Sequence, residues 1–353
     1  MGLCPEKLAR ISEHHGRWHG PGKIMDPPQA SLLARISSAV FFGLASILVV
    51  FVNKILLTNY SFPSPLSVGI GQMLATIVIL YIARLFRLVS FPKLDSSVPR
   101  KIFPLPLIYV LNLVTGLGGT KAINLPMFTV LRRFSILMTM ILEYYILGVK
   151  SSFAVKISIG LMIGGSIVAA LYDLAFDSYG YTLILLNDIF TAAQGVYTKQ
   201  KLEAKDLGKY GIMYYNCLFM FLPATFLLIY TDEFEKTFAF VSSEQMVPGA
   251  WVCFAVSCVC GFVLNYSLVV CTNYNSALTT TCVGPIKNLV VTYAGMFSSG
   301  DYVFSWTNFL GINISVLGSV LYTYVTFRTK SPAQRLITIT PMAKSSAEKQ
   351  PLI

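Results

Sequence analysis

The sequence predicts an all-α membrane protein whose ten transmembrane helices form two inverted five-helix repeats. Three observations support this prediction. First, 55% of the 353 residues are hydrophobic and only 12% are charged, whereas soluble globular proteins carry about 25% charged residues. Second, the chain contains ten apolar segments, each near the ~20 residues that a helix needs to cross a bilayer. Third, the basic residues collect in alternate connections between these segments, which is typical of membrane topology.

The ten segments are numbered in chain order. Their approximate bounds are 37–57, 66–86, 103–120, 126–147, 153–172, 178–199, 211–230, 248–272, 276–298 and 304–327. Residues 37–172 hold the first five and residues 178–327 the second five, between an N-terminal tail (1–36) and a C-terminal tail (328–353). Because each half has an odd number of segments, the halves run in opposite orientations, as in the inverted repeats of secondary transporters.

The distribution of basic residues predicts the side of the membrane on which each connection lies. Of 27 basic residues, 21 lie in the two tails or in and beside the connections after segments two, four and six. The opposite side holds two, Lys121 and Lys236. The positive-inside rule therefore places both tails in the cytosol. Because the basic residues flank apolar segments, the net charge of +11 does not indicate nucleic-acid binding.

The remaining four basic residues lie inside the predicted segments and away from these connections, where each charge costs at least about 2.5–3.5 kcal/mol. The acids that could balance them number two, so the membrane interior carries a net positive charge that an anionic ligand would neutralise. The bases are Lys54, Arg132, Arg133 and Lys287, and the acids are Glu143 and Asp188.

Each of these bases has a structural explanation to weigh against ligand binding. Lys54 lies near a segment end, from which its side chain can reach the interface. Arg132 and Arg133 point about 100° apart on a helix, so one can face a cavity while the other contacts Glu143 or a neighbouring helix. Lys287, deep in segment nine, is the hardest to explain structurally, and we expect it to bind the ligand.

Polar side chains cluster in segments six, seven and nine. Thr and Asn side chains can bond sugar or base, a glycine allows close backbone approach, and tyrosine rings offer a face for a planar base. The candidates are Asp188 in segment six, Tyr214, Tyr215 and Asn216 in segment seven, and Thr280, Gly284 and Asn288 in segment nine.

No sequence pattern indicates a metal or a cofactor. Six of the seven cysteines lie in apolar segments, and no CxxC pair occurs. We therefore expect no metal site, no cofactor and no enzymatic activity. Gly160 and Gly164 form a close-packing face that could serve within the chain or between the subunits of a homodimer.

Five stretches resemble the solute carrier 35 family of nucleotide-sugar transporters, over residues of about 36–328. They are VNKILLTNYSFPSPLSVGIGQM, NLPMFTVLRRFSIL, NDIFTAAQGVYTKQKL, LGKYGIMYYN and YNSALTTTCVGPIKN. Within that family they are most similar to the animal subgroup that carries UDP-glucuronate, UDP-N-acetylgalactosamine and UDP-N-acetylglucosamine. The resemblance implies a Golgi or endoplasmic reticulum membrane protein that imports nucleotide sugar in exchange for UMP.

The resemblance also implies roles for individual residues. The GDP-mannose branch carries Phe-Tyr-Asn-Asn in segment seven, where this chain has Cys217 as the fourth residue. That branch has Gly-Ala-Leu-Asn-Lys in segment nine, where this chain ends in Lys287-Asn288, the reverse order. Both departures favour a uridine nucleotide. Lys287 with Arg132 or Arg133 would hold the diphosphate. Tyr214, Tyr215 and Asn216 would recognise uracil, and Asn288 with Thr280 would contact ribose or sugar.

Three other functions fit parts of the sequence. An exchanger of phosphorylated metabolites or organic anions, of the plastid type, would need an acid-poor leader, and this N-terminal tail contains Glu6, Glu13 and Asp26. A membrane glycosyltransferase would need a DxD motif, which the chain lacks. A sorting or scaffold role has support only from the C-terminal ExxxLI sequence.

Overall fold

The computed structural model describes residues 31–122, 131–169, 178–243, 246–284, 286 and 306–328. The regular structure of these residues is helical throughout. The helices are Leu32–Lys54, which continues into a π-helical turn at Ile55–Asn59, then Pro65–Leu85, Val98–Ile102, Leu105–Ala122, Phe134–Leu147, Phe153–Ala169, Ser178–Ala204, Gly208–Tyr230, Glu233–Ser242, Pro248–Tyr274 and Trp306–Arg328. Residues 277–284, at the start of segment nine, are also helical.

Five described helices are long and apolar enough to cross a membrane, and they correspond to segments one, two, seven, eight and ten. Segments three, four and five contain shorter apolar helices. At 20–28 residues, the long helices measure about 30–42 Å, which spans a hydrocarbon core of about 30 Å. These helices confirm the prediction of an all-α membrane protein. Segment six is as long, but it carries Asn187, Asp188 and Gln194 in its interior.

The closest helix packing joins the first half of the chain to the second. Segment five packs against ten, three against six, one against eight, and two against both seven and eight. Segment four packs against six. Each described helix of segments one to five therefore packs against at least one helix of the second half.

Small residues allow the closest of these contacts, between segments five and ten. A Cβ atom added at Gly165 would lie 2.4 Å from the Ser315 nitrogen, and one added at Gly318 would lie 2.7 Å from the Met162 nitrogen. A Cβ atom at Gly160 or Gly164 would meet nothing within 4 Å. Among the described residues, the close packing within the chain therefore involves Gly165, and a role of Gly160 and Gly164 between subunits stays a prediction.

Basic side chains gather at one end of the helix bundle. Arg35 donates to the Thr326 carbonyl (3.1 Å), Asn275 donates to the Arg35 carbonyl (3.1 Å), and Lys199 donates to the Asn273 carbonyl (3.2 Å). These bonds join the start of segment one, the ends of six and ten, and the junction of eight and nine. They agree with the grouping that the charge distribution predicts.

The opposite end is formed by the connections after segments one and seven. Ser64 Oγ donates to Glu233 Oε2 (2.5 Å), and the hydroxyls of Ser67 and Thr237 lie 2.8 Å apart. The sequence predicts a loop at 231–247, whereas the structure has the helix Glu233–Ser242 there. This helix is amphipathic, and its 10 residues are too few to cross a bilayer. The helix Pro65–Leu85, about 31 Å long, runs from this end to the basic end.

Candidate functional site

The two adjacent arginines lie in the turn before the helix Phe134–Leu147 of segment four and point to different neighbours. Arg133 is buried and donates to Ser315 Oγ in segment ten (2.6 Å). Arg132 points to segment six, and its side chain is 37% exposed. The sequence predicts different neighbours from a helical spacing, and the two side chains do diverge, although they do so within a turn. Arg133 therefore has a structural partner inside the bundle, and Arg132 is the better placed of the two for an external anion.

A polar network holds the Arg132 side chain. Its Nη1 donates to Asn187 Oδ1 in a short contact and lies 3.5 Å from Thr191 Oγ1. Asn187 Nδ2 in turn donates to the Asn112 carbonyl (2.6 Å), to Asn112 Oδ1 (2.8 Å) and to Thr115 Oγ1 (3.2 Å). Hydrogen bonds inside an apolar bundle fix the direction of a side chain, because no water molecules compete for its donors. Segments three and six thus orient the guanidinium of segment four.

Asp188 lies beside this network and is fully buried. Its Oδ1 is 3.9 Å from Arg132 Nη1, which is ion-pair distance without a hydrogen bond. Neither carboxylate oxygen accepts a hydrogen bond from the described residues. The sequence predicts Asp188 as a site residue, and the structure places it against the guanidinium.

Segments four and nine run antiparallel and in contact. Glu143 Oε1 accepts from the Leu278 backbone N–H (2.9 Å), and the hydroxyls of Thr139 and Thr281 lie 3.4 Å apart. Glu143 therefore caps the start of segment nine, where the helix N-terminus favours a negative charge. The sequence offers an arginine as a possible partner of Glu143, whereas in these contacts Glu143 binds the Leu278 N–H.

The predicted residues of segment nine have different surroundings. Thr280 is buried, donates to the Ser276 carbonyl (3.1 Å) and contacts Thr272 Oγ1 (3.2 Å). A Cβ atom at Gly284 would meet none of the described residues within 4 Å, which leaves space on that side of the backbone. Lys287 and Asn288 lie outside the described residues.

The predicted base-binding residues of segment seven lie near the basic end. The Tyr215 hydroxyl donates to the Pro92 carbonyl (2.6 Å), and its side chain is fully buried. The Tyr214 ring lies 4.9 Å from the Phe91 ring, centroid to centroid. Asn216 is buried, and its Oδ1 accepts no hydrogen bond from the described residues. The Tyr215 hydroxyl is thus bonded to the connection after segment two, while the Asn216 amide oxygen could accept a hydrogen bond from a ligand.

Lys54 is also a predicted site residue. It is exposed and ends the helix Leu32–Lys54. Its position fits a side chain that reaches the interface. The described residues do not include a group of three or more His, Cys, Asp or Glu side chains that could hold a metal.

Two polar residues, Asn112 and Gln72, were not among the residues singled out from the sequence. Asn112, the hub of the network around Arg132, is a single amide in the apolar segment three. Gln72 donates to Asn53 Oδ1 (3.3 Å) and to Ser257 Oγ (3.1 Å), which joins segments two, one and eight. A search for single polar residues within apolar segments would have found both groups, but only the fold shows what they contact.

Comparison with known proteins identifies the family. The model for the Triose-phosphate Transporter family matches residues 36–323. The UDP-sugar transporter sqv-7 of Caenorhabditis elegans is 70% identical over 86% of this chain and 92% of its own length. The human nucleotide sugar transporter SLC35D2 is 47% identical over 90% of this chain and 93% of its own. A crystal structure with 13% sequence identity covers 82% of this chain and 99% of its own, with a TM-score of 0.59, and supports the fold alone.

These relatives are transporters, so the glycosyltransferase alternative is excluded and the chain is not an enzyme. The family model matches most of the chain, and the relatives align over nearly their full lengths. This chain belongs to the Triose-phosphate Transporter family, and within it to the solute carrier 35 nucleotide-sugar transporters.

Proposed function

We propose that this protein is an antiporter that moves UDP-sugars from the cytosol into the Golgi or endoplasmic reticulum lumen in exchange for UMP. UDP-glucuronate, UDP-N-acetylgalactosamine and UDP-N-acetylglucosamine are the proposed substrates, and they would supply lumenal glycosyltransferases. Support comes from the relatives, whose names specify UDP-sugar or nucleotide-sugar transport. Both tails would face the cytosol, in line with the basic end of the bundle.

The observation that carries the proposal is the oriented cation at Arg132. A guanidinium half-exposed within a helix bundle and held by the network of Asn187 and Asn112 is preorganised for an anion. Arginine also matches the geometry of phosphate, because its donors lie in a planar fork. We assign Arg132 to the diphosphate and Arg133, bonded to Ser315, to the support of segment four.

Lys287 would provide the second phosphate contact. The contacts of Glu143 with Leu278 and of Thr139 with Thr281 set an antiparallel register. If segment nine continued in this register, position 287 would lie level with position 133, one residue from Arg132. We therefore expect both cations to reach the same phosphate group.

The uridine would be recognised by segment seven. Asn216 has an amide oxygen that accepts no hydrogen bond from the described residues, and Tyr214 offers a half-buried ring. Tyr215, tied to Pro92, would form the wall behind them. Because the Thr280 hydroxyl is engaged with Ser276, Asn288 would make the main contact with ribose or sugar, with Gly284 leaving room for it.

The helix contacts support the proposed inverted repeat of ten helices. In an inverted repeat, segments one to five correspond to segments six to ten in order. The contact of segment one with segment eight then has its counterpart in the contact of six with three, and that of two with eight in the contact of seven with three. The contact of segment four with segment six has its counterpart in the contact of nine with one, where a Cβ atom added at Gly43 would lie 3.5 Å from Val283. All of these contacts are present. Such a repeat allows the halves to rock about a central site and expose it to either side.

Uptake into proteoliposomes preloaded with UMP tests the proposal. Purified protein should accumulate radiolabelled UDP-sugars from the panel above, and liposomes without internal UMP should accumulate far less. Arg132→Ala should abolish uptake. Lys156→Gln removes an exposed cation of segment five and should not change it. Equal uptake with and without internal UMP would refute exchange.

A second candidate, an exchanger of phosphorylated metabolites, is favoured by the family description, which names triose phosphate. It would use the same arginine but would not need the residues of segment seven. The same liposomes, preloaded with inorganic phosphate and offered a labelled triose phosphate, separate the two candidates. We expect no uptake under these conditions.

A further inference from the structure

We infer that Asp188 is a counter-ion that competes with the phosphate of the ligand for Arg132 and thereby speeds ligand release. The inference rests on the proposed function, because it requires a phosphate ligand at Arg132. It assigns to the acid of segment six a role other than contact with substrate, since a carboxylate would repel a phosphate.

The surroundings of Asp188 argue against a purely structural role. The residue is fully buried, and neither carboxylate oxygen accepts a hydrogen bond from the described residues. A buried polar group without a hydrogen bond destabilises the fold, and a buried charge does so more strongly. An Asn or Ser at this position would be less costly to bury. The carboxylate is therefore best explained by its charge.

That charge acts on Arg132. The distance of 3.9 Å from Asp188 Oδ1 to Arg132 Nη1 exceeds the ~2.8 Å of a charge-assisted hydrogen bond. The guanidinium takes its direction from Asn187 and Thr191. Asp188 therefore lowers the positive potential at Arg132 without fixing its geometry.

A phosphate bound to Arg132 would lie about 8 Å from Asp188, since it would add one contact distance of ~4 Å to the existing 3.9 Å. With an effective dielectric constant of about 20, repulsion at that distance weakens binding by about tenfold to fiftyfold. An exchanger must release one nucleotide before it binds the next, so this weakening favours turnover. Removal of the charge should tighten binding and slow exchange.

The test is Asp188→Asn, measured for UMP binding to purified protein and for UMP–UMP exchange in proteoliposomes. We expect the Kd for UMP to fall by about tenfold or more and the exchange rate to fall with it. Glu143→Gln is the matched control, because it removes another buried carboxylate from the bundle while keeping an acceptor for Leu278. Its Kd for UMP should equal that of the wild type.

A double variant separates a direct role from one through Arg132. In the Arg132→Ala background, Asp188→Asn should no longer tighten UMP binding, because no guanidinium holds the phosphate within the ~8 Å of Asp188 over which the repulsion acts. An unchanged or weaker affinity in Asp188→Asn would overturn the inference, as would tightening that persists without Arg132.

Folding and the proposed function have their own readouts. If Asp188→Asn does not yield folded protein, Asp188→Ser removes the same charge with a smaller side chain and should show the same tightening. Failure of both to fold, with Asp188→Glu folded, would assign the charge to stability and overturn the inference. If the wild type neither binds nor exchanges UMP, the proposed function fails and the inference fails with it. If the wild type exchanges UMP but Asp188→Asn does not tighten binding, the inference alone fails.

Discussion

Gly165→Ala should separate segments five and ten, although it adds only one methyl group. The new Cβ would lie 2.4 Å from the Ser315 nitrogen and 2.6 Å from the Gly311 carbonyl oxygen. Both are backbone atoms of one helix, so neither can turn aside as a side chain would. The helices must therefore move apart by about 1 Å to restore a normal contact.

The cost of this movement has two parts. Overpacking of a tight core typically costs about 1–3 kcal/mol. The movement also strains the bond from Arg133 to Ser315 and the one from Ser315 to the Met162 carbonyl, and a hydrogen bond to a charged group contributes about 1.5–3 kcal/mol. Ala gains up to about 1 kcal/mol over Gly in helix propensity. The net destabilisation should be about 2–4 kcal/mol.

Gly160→Ala on the same helix is the matched control. The substitution is identical, but the added Cβ meets nothing within 4 Å, so only the propensity gain remains. Thermal unfolding of both variants in detergent, followed by size-exclusion chromatography, should show Gly165→Ala melting roughly 5 °C or more below the control. Equal melting temperatures would show that the two helices are not packed as the structure describes.

Three further predictions concern the site and the topology. Lys287→Ala should weaken UMP binding by hundreds-fold, since an uncompensated charged contact costs several kcal/mol, while protein yield stays normal; unchanged affinity in a binding assay would refute the assigned role. Glu143→Ala leaves the Leu278 N–H without its acceptor and should destabilise the protein by about 1–3 kcal/mol in thermal unfolding, with Glu143→Gln closer to the wild type. An epitope added after Ile353 should bind antibody in cells whose plasma membrane alone is permeabilised, and a requirement for full detergent would reverse the topology.

Composition and charge distribution were sufficient to predict the membrane class and the two ends of the bundle. These properties depend on the free energy of placing each residue in lipid or water, which acts residue by residue and needs no tertiary contact. The different partners of Arg132 and Arg133 were expected from a helical separation of about 100°, but the structure separates the two side chains within a turn before the helix Phe134–Leu147. The family resemblance, carried by local stretches of sequence, was confirmed by the relatives.

Only the tertiary structure identified the partners. Glu143 caps segment nine and does not pair with an arginine, and Asn112 anchors the network of Arg132 across segments three, four and six. Gly165 forms the tight helix contact, although Gly160 and Gly164 have the better-known spacing. In each case the decisive quantity is which face of one helix meets another. Hydrophobic periodicity is weak in helices that are apolar on all sides, so the sequence determines that these segments enter the membrane but not how they turn toward one another.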